Sequence, residues 1–102
     1  MASRLELHEE LCKLLGTRYV YFQPPENVKM YYPCIVYSVV SISQIRADNR
    51  IYKGNTRYQL TVIDRDPDSM IYDKIMHRFE MCSFDRAYAV DNLYHNVLTI
   101  YY

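Results

Sequence analysis

The first apolar stripe in the chain predicts a helix near its start. Four leucines recur with the i, i+4, i+7, i+8 spacing that places them on one side of an α-helix: Leu7, Leu11, Leu14 and Leu15. Ser3 stands at the N-cap position, and Glu6 three residues later completes a capping box. Gly16 suits the left-handed residue that follows a helix. We therefore expect the first helix over residues 4–15.

Three β-prone segments follow this helix. Residues 19–22 form a short run closed by two prolines, so a loop is expected over residues 23–27. Residues 34–45 are apolar on both alternations, as in a strand covered on both faces. The turn formers Asp48-Asn49 and Gly54-Asn55 predict a long connection before a strand at residues 56–63, whose apolar and polar positions alternate.

A second helix is predicted from Asp66, as N-cap, and Pro67, at the first helical position. Its apolar stripe includes Ile71, Ile75 and Phe79, so the helix should cover residues 67–81. A short strand at residues 86–90, a turn at Asp91-Asn92 and a long final strand at residues 93–102 complete the pattern.

The order α-β-β-β-α-β-β predicts a single α+β domain over residues 1–102. We expect a mainly antiparallel sheet of four to five strands, two helices packed on one face and a long projecting β-hairpin. Such a sheet is ~20–24 Å wide, and two helices of ~10 Å diameter cover that width once. The second face should therefore be solvated or covered by another subunit, and the 12 tyrosines of the chain suit such a half-buried surface.

The net charge of the chain and its distribution argue against some classes of function. The chain has 12 basic and 12 acidic residues, which argues against a dedicated nucleic-acid binder and against a polybasic membrane anchor. No apolar run approaches the ~18 residues of a membrane span, and the first ten residues are too acidic for a secretory signal. The signs are nevertheless segregated: residues 34–63 carry four basic groups and one acidic group, a net +3, and residues 64–102 carry four basic and seven acidic groups, a net −3. This separation favours complementary protein patches.

The spacing of the histidines and cysteines does not favour a metal site or a disulfide. His8 and Cys12 stand four apart and His77 with Cys82 is a looser pair, but zinc requires three or four ligands. The odd set of Cys12, Cys34 and Cys82 predicts reduced thiols without a disulfide.

The carboxylates Asp64, Asp66 and Asp68 resemble the opening of a calcium loop, yet Ser69 occupies the position that requires glycine. We interpret this cluster as a helix cap. With only two glycines in the chain there is no phosphate-binding loop, and we expect no enzyme activity, no cofactor and no metal site.

A basic run in the predicted hairpin leaves a second interpretation open. Its cations alternate with apolar and aromatic residues, as in some nucleic-acid binders, although such a run is more often a solvated hairpin. The residues concerned are Arg46, Arg50, Ile51, Tyr52, Lys53, Arg57 and Tyr58.

Several local stretches, with the element order, resemble the small tail-terminator proteins of long-tailed bacteriophages, also called tail-completion or minor tail proteins. The resemblance covers most of the chain. The stretches are Tyr32-Pro33-Cys34-Ile35-Val36-Tyr37, Ala47-Asp48-Asn49, Tyr58-Gln59-Leu60-Thr61-Val62, Asp66-Pro67, and Tyr88 to His95 continuing into Tyr101-Tyr102. The resemblance implies a non-enzymatic hexameric ring that caps the tail tube, stops tube polymerisation and presents a surface for head attachment.

The resemblance also implies the partners. They are other copies of the chain, the tail tube protein and a head-completion or connector protein, with DNA passing through the lumen without specific binding and no membrane contact. The expected location is the head-proximal end of the tail in the virion, after assembly in the host cytoplasm. Another head–tail joining or head-completion protein, or a small nucleic-acid-binding α+β module, remains the alternative.

We place the subunit or tail-tube contact, as a hypothesis, on the basic hairpin. Its residues are Arg46, Arg50, Ile51, Tyr52, Lys53 and Arg57. They would face carboxylates such as Asp64, Asp68, Asp73 and Asp85 of the next subunit or of the tube.

Overall fold

The computed structural model describes residues 4–25, 29–47 and 50–102, and for residues 41–47 and 50–55 it describes the backbone alone. Two helices and five strands follow one another in this part of the chain. They are α1 (Arg4–Leu15), β1 (Val20–Phe22), β2 (Cys34–Ala47), β3 (Arg50–Asp64), α2 (Ile71–Arg78), β4 (Cys82–Val90) and β5 (Leu93–Tyr101). The predicted order of elements is confirmed.

The five strands form one mixed sheet in the order β1-β2-β3-β5-β4. β1 lies parallel to β2, and the other neighbours are antiparallel. The α+β class and the mainly antiparallel sheet are thus confirmed. The short parallel contact is possible because residues 23–33 lead from the end of β1 back to the start of β2.

Both helices pack on the same face of the sheet and form the core there. α1 contributes Leu7, Leu11 and Leu15, and α2 contributes Ile75, with Phe79 following it. The sheet side chains that contact the two helices alternate along each strand with side chains on the opposite face, because successive residues of a β-strand point to opposite sides. They include Val20, Ile35, Tyr37, Tyr58, Leu60, Val62, Leu98 and Ile100.

The first helix has the predicted bounds. Gly16 follows it with φ +86°, and its N–H donates to the Cys12 carbonyl at 2.8 Å. A left-handed residue at this position satisfies a carbonyl that the helix leaves unpaired, and glycine adopts it without steric cost. The predicted N-cap, Ser3, lies outside the described residues.

The second helix is shorter than predicted, at residues 71–78 rather than 67–81. The Asp66 carboxylate accepts the N–H of Asp68 at 2.9 Å, and the Asp66 carbonyl accepts the N–H of Ser69 at 3.3 Å. The Asp66-Pro67 pattern therefore closes a turn, because a side chain that satisfies nearby backbone groups competes with helix formation. Met70 occupies the N-cap position.

The strand after α2 is longer than predicted, since β4 begins at Cys82 rather than at residue 86. Phe79 already has extended backbone angles, φ −107° and ψ 127°. Pairing with β5 satisfies the backbone of residues 82–84, which explains why the helix does not continue to residue 81. The turn at Asp91-Asn92 is confirmed: both residues have positive φ, 53° and 63°, as in the two-residue type I′ hairpin.

The predicted turn at Gly54-Asn55 is wrong, because β3 runs without interruption from Arg50. Its pairing with β2 extends from Ala47↔Arg50 to Cys34↔Ile63, with register shifts between Val39 and Ser41 and between Ile42 and Gln44. The ladder satisfies backbone groups that a loop would leave to water. The turn at Asp48-Asn49 lies outside the described residues, as do residues 26 and 27 of the predicted loop. That the hairpin projects from the sheet stays a prediction.

None of the helices in the described ranges is long and apolar enough to cross a membrane.

Candidate interaction surface

The sheet face opposite the helices is a mixed polar and aromatic surface. By register it carries Tyr21, Val36, Ser38, Arg57, Gln59, Thr61, Tyr88, His95 and Tyr101. Cys34 and Ile63 are buried on this side. The segment before β2 lies beside them: the Tyr31 N–H donates to the Tyr21 hydroxyl at 3.2 Å. Val97 and Thr99 of β5 are buried on this side as well, so this face, the open face, is exposed mainly along β4.

The tyrosines occupy mainly the boundary between core and solvent, as interface tyrosines do. Tyr37 and Tyr58 are buried, whereas Tyr21, Tyr32, Tyr72, Tyr101 and Tyr102 are half-buried and Tyr19, Tyr31, Tyr88 and Tyr94 are exposed. The side chain of Tyr52 lies outside the described residues.

β4 is an exposed edge of the sheet. Among the described residues no strand pairs with its outer side, and each of its nine residues except Cys82 is exposed. Large apolar side chains lie along it: Phe84 is 39% exposed, Tyr88 42% and Val90 50%. The strand contains neither proline nor lysine, two residues with which proteins commonly block an edge. Its residues 86–90, which follow the register shift after Phe84, are suited to pairing with a further strand.

A bulge in β4 organises the polar groups of the edge. The register shift between Phe84 and Arg86 places Asp85 beside Arg86 on the open face. The Asp85 carboxylate accepts the hydroxyl protons of Thr99 and, at 3.3 Å, of Ser83. Asp85 is thus bound within its own chain, whereas Arg86 stays exposed at the edge.

Arg86 begins a row of stacked side chains across the open face. Its guanidinium carbon lies 5.8 Å from the centroid of the Tyr88 ring. The Tyr88 ring in turn stacks on His95, with centroids 4.6 Å apart and planes 10° from parallel. We name this set, Arg86, Tyr88 and His95, the edge row.

On the helix side the edge continues into an apolar strip. The Tyr72 ring of α2 packs edge-on against Phe84, with centroids 5.3 Å apart. Met76, one turn further along α2, and Met81 are both exposed. Apolar surface therefore flanks β4 on its helix side as well.

A polar cluster joins α1 to β2. Tyr37 is 1% exposed, and its hydroxyl oxygen accepts an N–H of Arg4 at 3.2 Å and lies 2.8 Å from His8 Nδ1. Burial, and then the charges of Arg4 and Arg18, lower the pKa of His8. The neutral imidazole can accept a hydrogen bond from the Tyr37 hydroxyl. His8 Nδ1 therefore already has a partner within the fold.

The cysteine and histidine candidates show neither an activated thiol nor a metal site. Burial raises the pKa of Cys12 and of Cys82, and it raises that of Cys34 to about 12, so none is a ready thiolate. His77 Nδ1 contacts the Asp73 carbonyl at 2.8 Å. No three His, Cys, Asp or Glu side chains within the described ranges are grouped closely enough to hold a metal ion.

One surface depression, of about 300 Å³, lies at the end of α1. It is lined by Glu9, Cys12, Lys13, Gly16, Thr17 and Arg18. Its two strongest polar groups are already paired, since Arg18 donates to both carboxylate oxygens of Glu9 at 2.9 and 3.1 Å.

The predicted contact residues can be placed only in part. The side chains of Arg46, Arg50, Ile51, Tyr52 and Lys53 lie outside the described residues, and Arg57 is exposed. Of the carboxylates, Asp68 and Asp85 are exposed and Asp64 and Asp73 are half-buried.

The basic candidate Arg57 and the acidic candidate Asp64 lie towards opposite ends of β3. Arg57 pairs with Tyr101 and Asp64 pairs with Tyr94, so about 23 Å of strand separates them. Arg57 and Asp64 of one chain therefore do not meet.

The sequence predicted only residues 86–90 of the edge strand β4. The alternation that marks a strand is broken at the bulge, where Asp85 and Arg86 share a face. In addition, the apolar spacing of Ile71, Ile75 and Phe79 favours a longer helix over a strand that begins at Cys82. The alternation at Tyr88 and Val90 indicated the second half of the strand, whereas its position at the edge depends on the order of strands in the sheet.

Neither protein-family models nor curated protein sequences match this chain. A proposal about function therefore rests on the surface described above and on the resemblance of local stretches.

Proposed function

We propose that this chain is a non-enzymatic structural protein of a long-tailed bacteriophage, a tail terminator whose copies close into a ring on the tail tube. The ring would be a hexamer that stops tube polymerisation and provides the head-attachment surface. The observation that carries the proposal is the separation of opposite charges along β3, with Arg57 towards one end and Asp64 towards the other. The resemblance of local stretches to tail terminators supplies the biological setting.

A ring requires two different patches on each subunit. Its interface is heterologous, so one patch of a subunit meets another patch of the next. Charges at opposite ends of β3 supply such a pair: the basic hairpin with Arg57, and the acidic segment after Asp64 that contains Asp66 and Asp68. Exposed ion pairs contribute only about 0–1 kcal/mol each, so Ile51 and Tyr52 would supply more of the affinity and the charges mainly the orientation.

The partners follow from this role. They are further copies of the chain, the tail tube protein and a head-completion or connector protein, and DNA would pass through the lumen without base-specific contacts. The protein would act in the virion at the head-proximal end of the tail, after assembly in the host cytoplasm. It would use neither a cofactor nor a membrane.

Electron microscopy of negatively stained, concentrated protein, alone and mixed with purified tail tubes, tests the proposal. We expect rings at one end of the tubes and a monomer or weak oligomer in dilute protein alone. Binding to the head connector but not to tubes would instead support a head-completion protein. A tight dimer at every concentration that never caps a tube would contradict the terminator proposal.

The edge row favours one second candidate, a small nucleic-acid-binding module. Tyr88 stacked on His95 beside Arg86 presents an aromatic face and a cation to which a base and a phosphate could bind. The zero net charge of the chain opposes it. Strong binding of single-stranded DNA that weakens steeply with salt, without ring formation, would favour this candidate.

A further inference from the structure

We infer that the outer edge of β4 binds a second copy of this chain, so that two β4 strands pair antiparallel about a two-fold axis at Ala87. The inference goes beyond the proposed ring, because it concerns a different surface and an isologous contact. It stands or falls independently of tail capping.

The backbone of β4 supplies the hydrogen bonds for this contact. Val90 and Leu93 flank a two-residue turn and pair with each other, and such a closing pair exchanges backbone hydrogen bonds. Because hydrogen-bonded and non-bonded pairs alternate along an antiparallel ladder, Ala89 and Ala87 direct their N–H and C=O groups away from β5. Ala87 opposite its own copy would therefore form a hydrogen-bonded pair.

The side chains of β4 complement an antiparallel copy of the same strand. With Ala87 opposite Ala87, Arg86 of each copy stands opposite Tyr88 of the other, on the open face. Directly opposite side chains in such a ladder have Cβ atoms about 4.5–5.5 Å apart. The two edge rows would then join, with the guanidinium of one copy beside the aromatic ring of the other. Two identical Arg–Tyr contacts would form.

The strand also avoids like-charge contact in this register. Its two charged residues, Asp85 and Arg86, have opposite signs, and the two arginines do not face each other. On the helix side Ala87 stands opposite its own copy at the two-fold axis, which leaves room at the seam. α2 lies near the first residues of β4, where Tyr72 touches Phe84. Phe84 and its copy would be about 20 Å apart along the strands, so the two α2 helices would not collide.

The edge strand on the other side of the sheet, β1, does not offer a matching partner. β1 has three residues against the nine of β4, and its Val20 N–H already donates to the Arg18 carbonyl at 2.8 Å. A head-to-tail contact of β4 with β1 would therefore leave most of β4 unpaired. A second β4 would pair with the segment on both sides of Ala87, from Arg86 to Tyr88, up to the bulge at Asp85.

Sedimentation equilibrium from micromolar to near-millimolar protein tests the inference. We expect a concentration-dependent monomer–dimer equilibrium in which Arg86→Ala raises the dissociation constant at least about tenfold, because both symmetric contacts are lost. Lys13→Ala is the control: it removes a positive charge at an exposed position of α1, outside β4 and outside the proposed ring contact, and should leave the equilibrium unchanged. Arg46→Glu with Arg50→Glu, which should impair the ring, should also leave the dimer intact.

Disulfide trapping tests the register. In a Cys82→Ser background, Ala87→Cys should cross-link readily on oxidation, since the two Cα atoms would be about 5.5 Å apart, within the range that a disulfide spans. Ala89→Cys, on the same strand and equally exposed, should not cross-link, because its copies would be about 13 Å apart. A wild-type protein that stays monomeric at all concentrations, equal cross-linking of the two variants, or equal effects of Arg86→Ala and Lys13→Ala would overturn the inference.

Discussion

His8 Nδ1 lies 2.8 Å from the hydroxyl oxygen of Tyr37 and so connects the first helix to the second strand. The tyrosine is buried at the centre of the helix-covered face, while the histidine is half-exposed on α1. Arg4 also donates to the same oxygen at 3.2 Å and lies over the Phe22 ring at 4.3 Å. A polar contact therefore orients α1 on a sheet that otherwise holds it through apolar packing.

This contact predicts that stability falls in mild acid. Burial, Arg4 and Arg18 lower the pKa of His8 in the folded state from its ordinary value of 6.5, against a smaller opposing effect of Glu9. The unfolded state therefore binds the proton more readily, and stability declines as pH falls below about 6.5 until the folded-state pKa is reached. Urea unfolding at pH 7.5 and pH 5.5 measures the effect.

His8→Gln should reduce this pH dependence, because it removes the titrating group. His77→Gln, at an exposed position of α2, should retain the wild-type dependence. Equal pH profiles for wild type and His8→Gln would show that other groups govern the acid response.

Removal of the Tyr37 hydroxyl should destabilise the fold more than removal of an exposed one. Tyr37→Phe leaves Arg4 and His8 without this partner in a partly desolvated site, and such a loss costs about 1–3 kcal/mol. Tyr94→Phe is the control, since Tyr94 is 38% exposed and surface changes are usually within about 0.5 kcal/mol. Urea unfolding at pH 7.5 compares the two variants, and similar losses would contradict an anchoring role for the Tyr37 hydroxyl.

Reversal of charge in the hairpin should weaken ring assembly without unfolding the subunit. Arg46→Glu with Arg50→Glu replaces attraction to an acidic patch by repulsion, and the defect should be larger at low salt, where screening is weaker. Lys13→Glu with Lys74→Glu makes the same net change at two exposed helix positions and should cap tails normally. Tail capping is scored by electron microscopy, and normal capping by the hairpin variant would exclude the hairpin as the contact.

Chelator and reductant should leave the melting temperature unchanged. Cys12 and Cys34 are buried free thiols and Cys82 is a half-buried one, so reduction has no disulfide of theirs to break. Thermal unfolding followed by circular dichroism, with and without each reagent, provides the measurement. A clear decrease in the melting temperature with chelator would reveal a metal site that the spacing of histidines and cysteines failed to predict.

Local signals predicted the parts of the fold that local contacts determine. The leucine spacing and Gly16 gave α1 its correct bounds, and Asp91-Asn92 gave the turn between β4 and β5. The predicted start of α2 was wrong because an aspartate followed by a proline favours a turn as well as a helix start. Sequence alone also could not reveal the contact between His8 and Tyr37, which are 29 positions apart, or the exposed edge, which depends on the order of strands in the sheet.

The strand order also has a consequence for how the chain folds during synthesis. β5 follows β4 along the chain, yet it lies between β3 and β4 in the sheet. On the ribosome, where N-terminal segments emerge first, β4 has no sheet neighbour until β5 has been made. The helical layer and strands β1 to β3 can begin to associate earlier, but the sheet becomes continuous only when β5 inserts next to β3. Deletion of β5 would consequently leave β4 without a neighbouring strand, whereas deletion of β4 would remove only an edge strand.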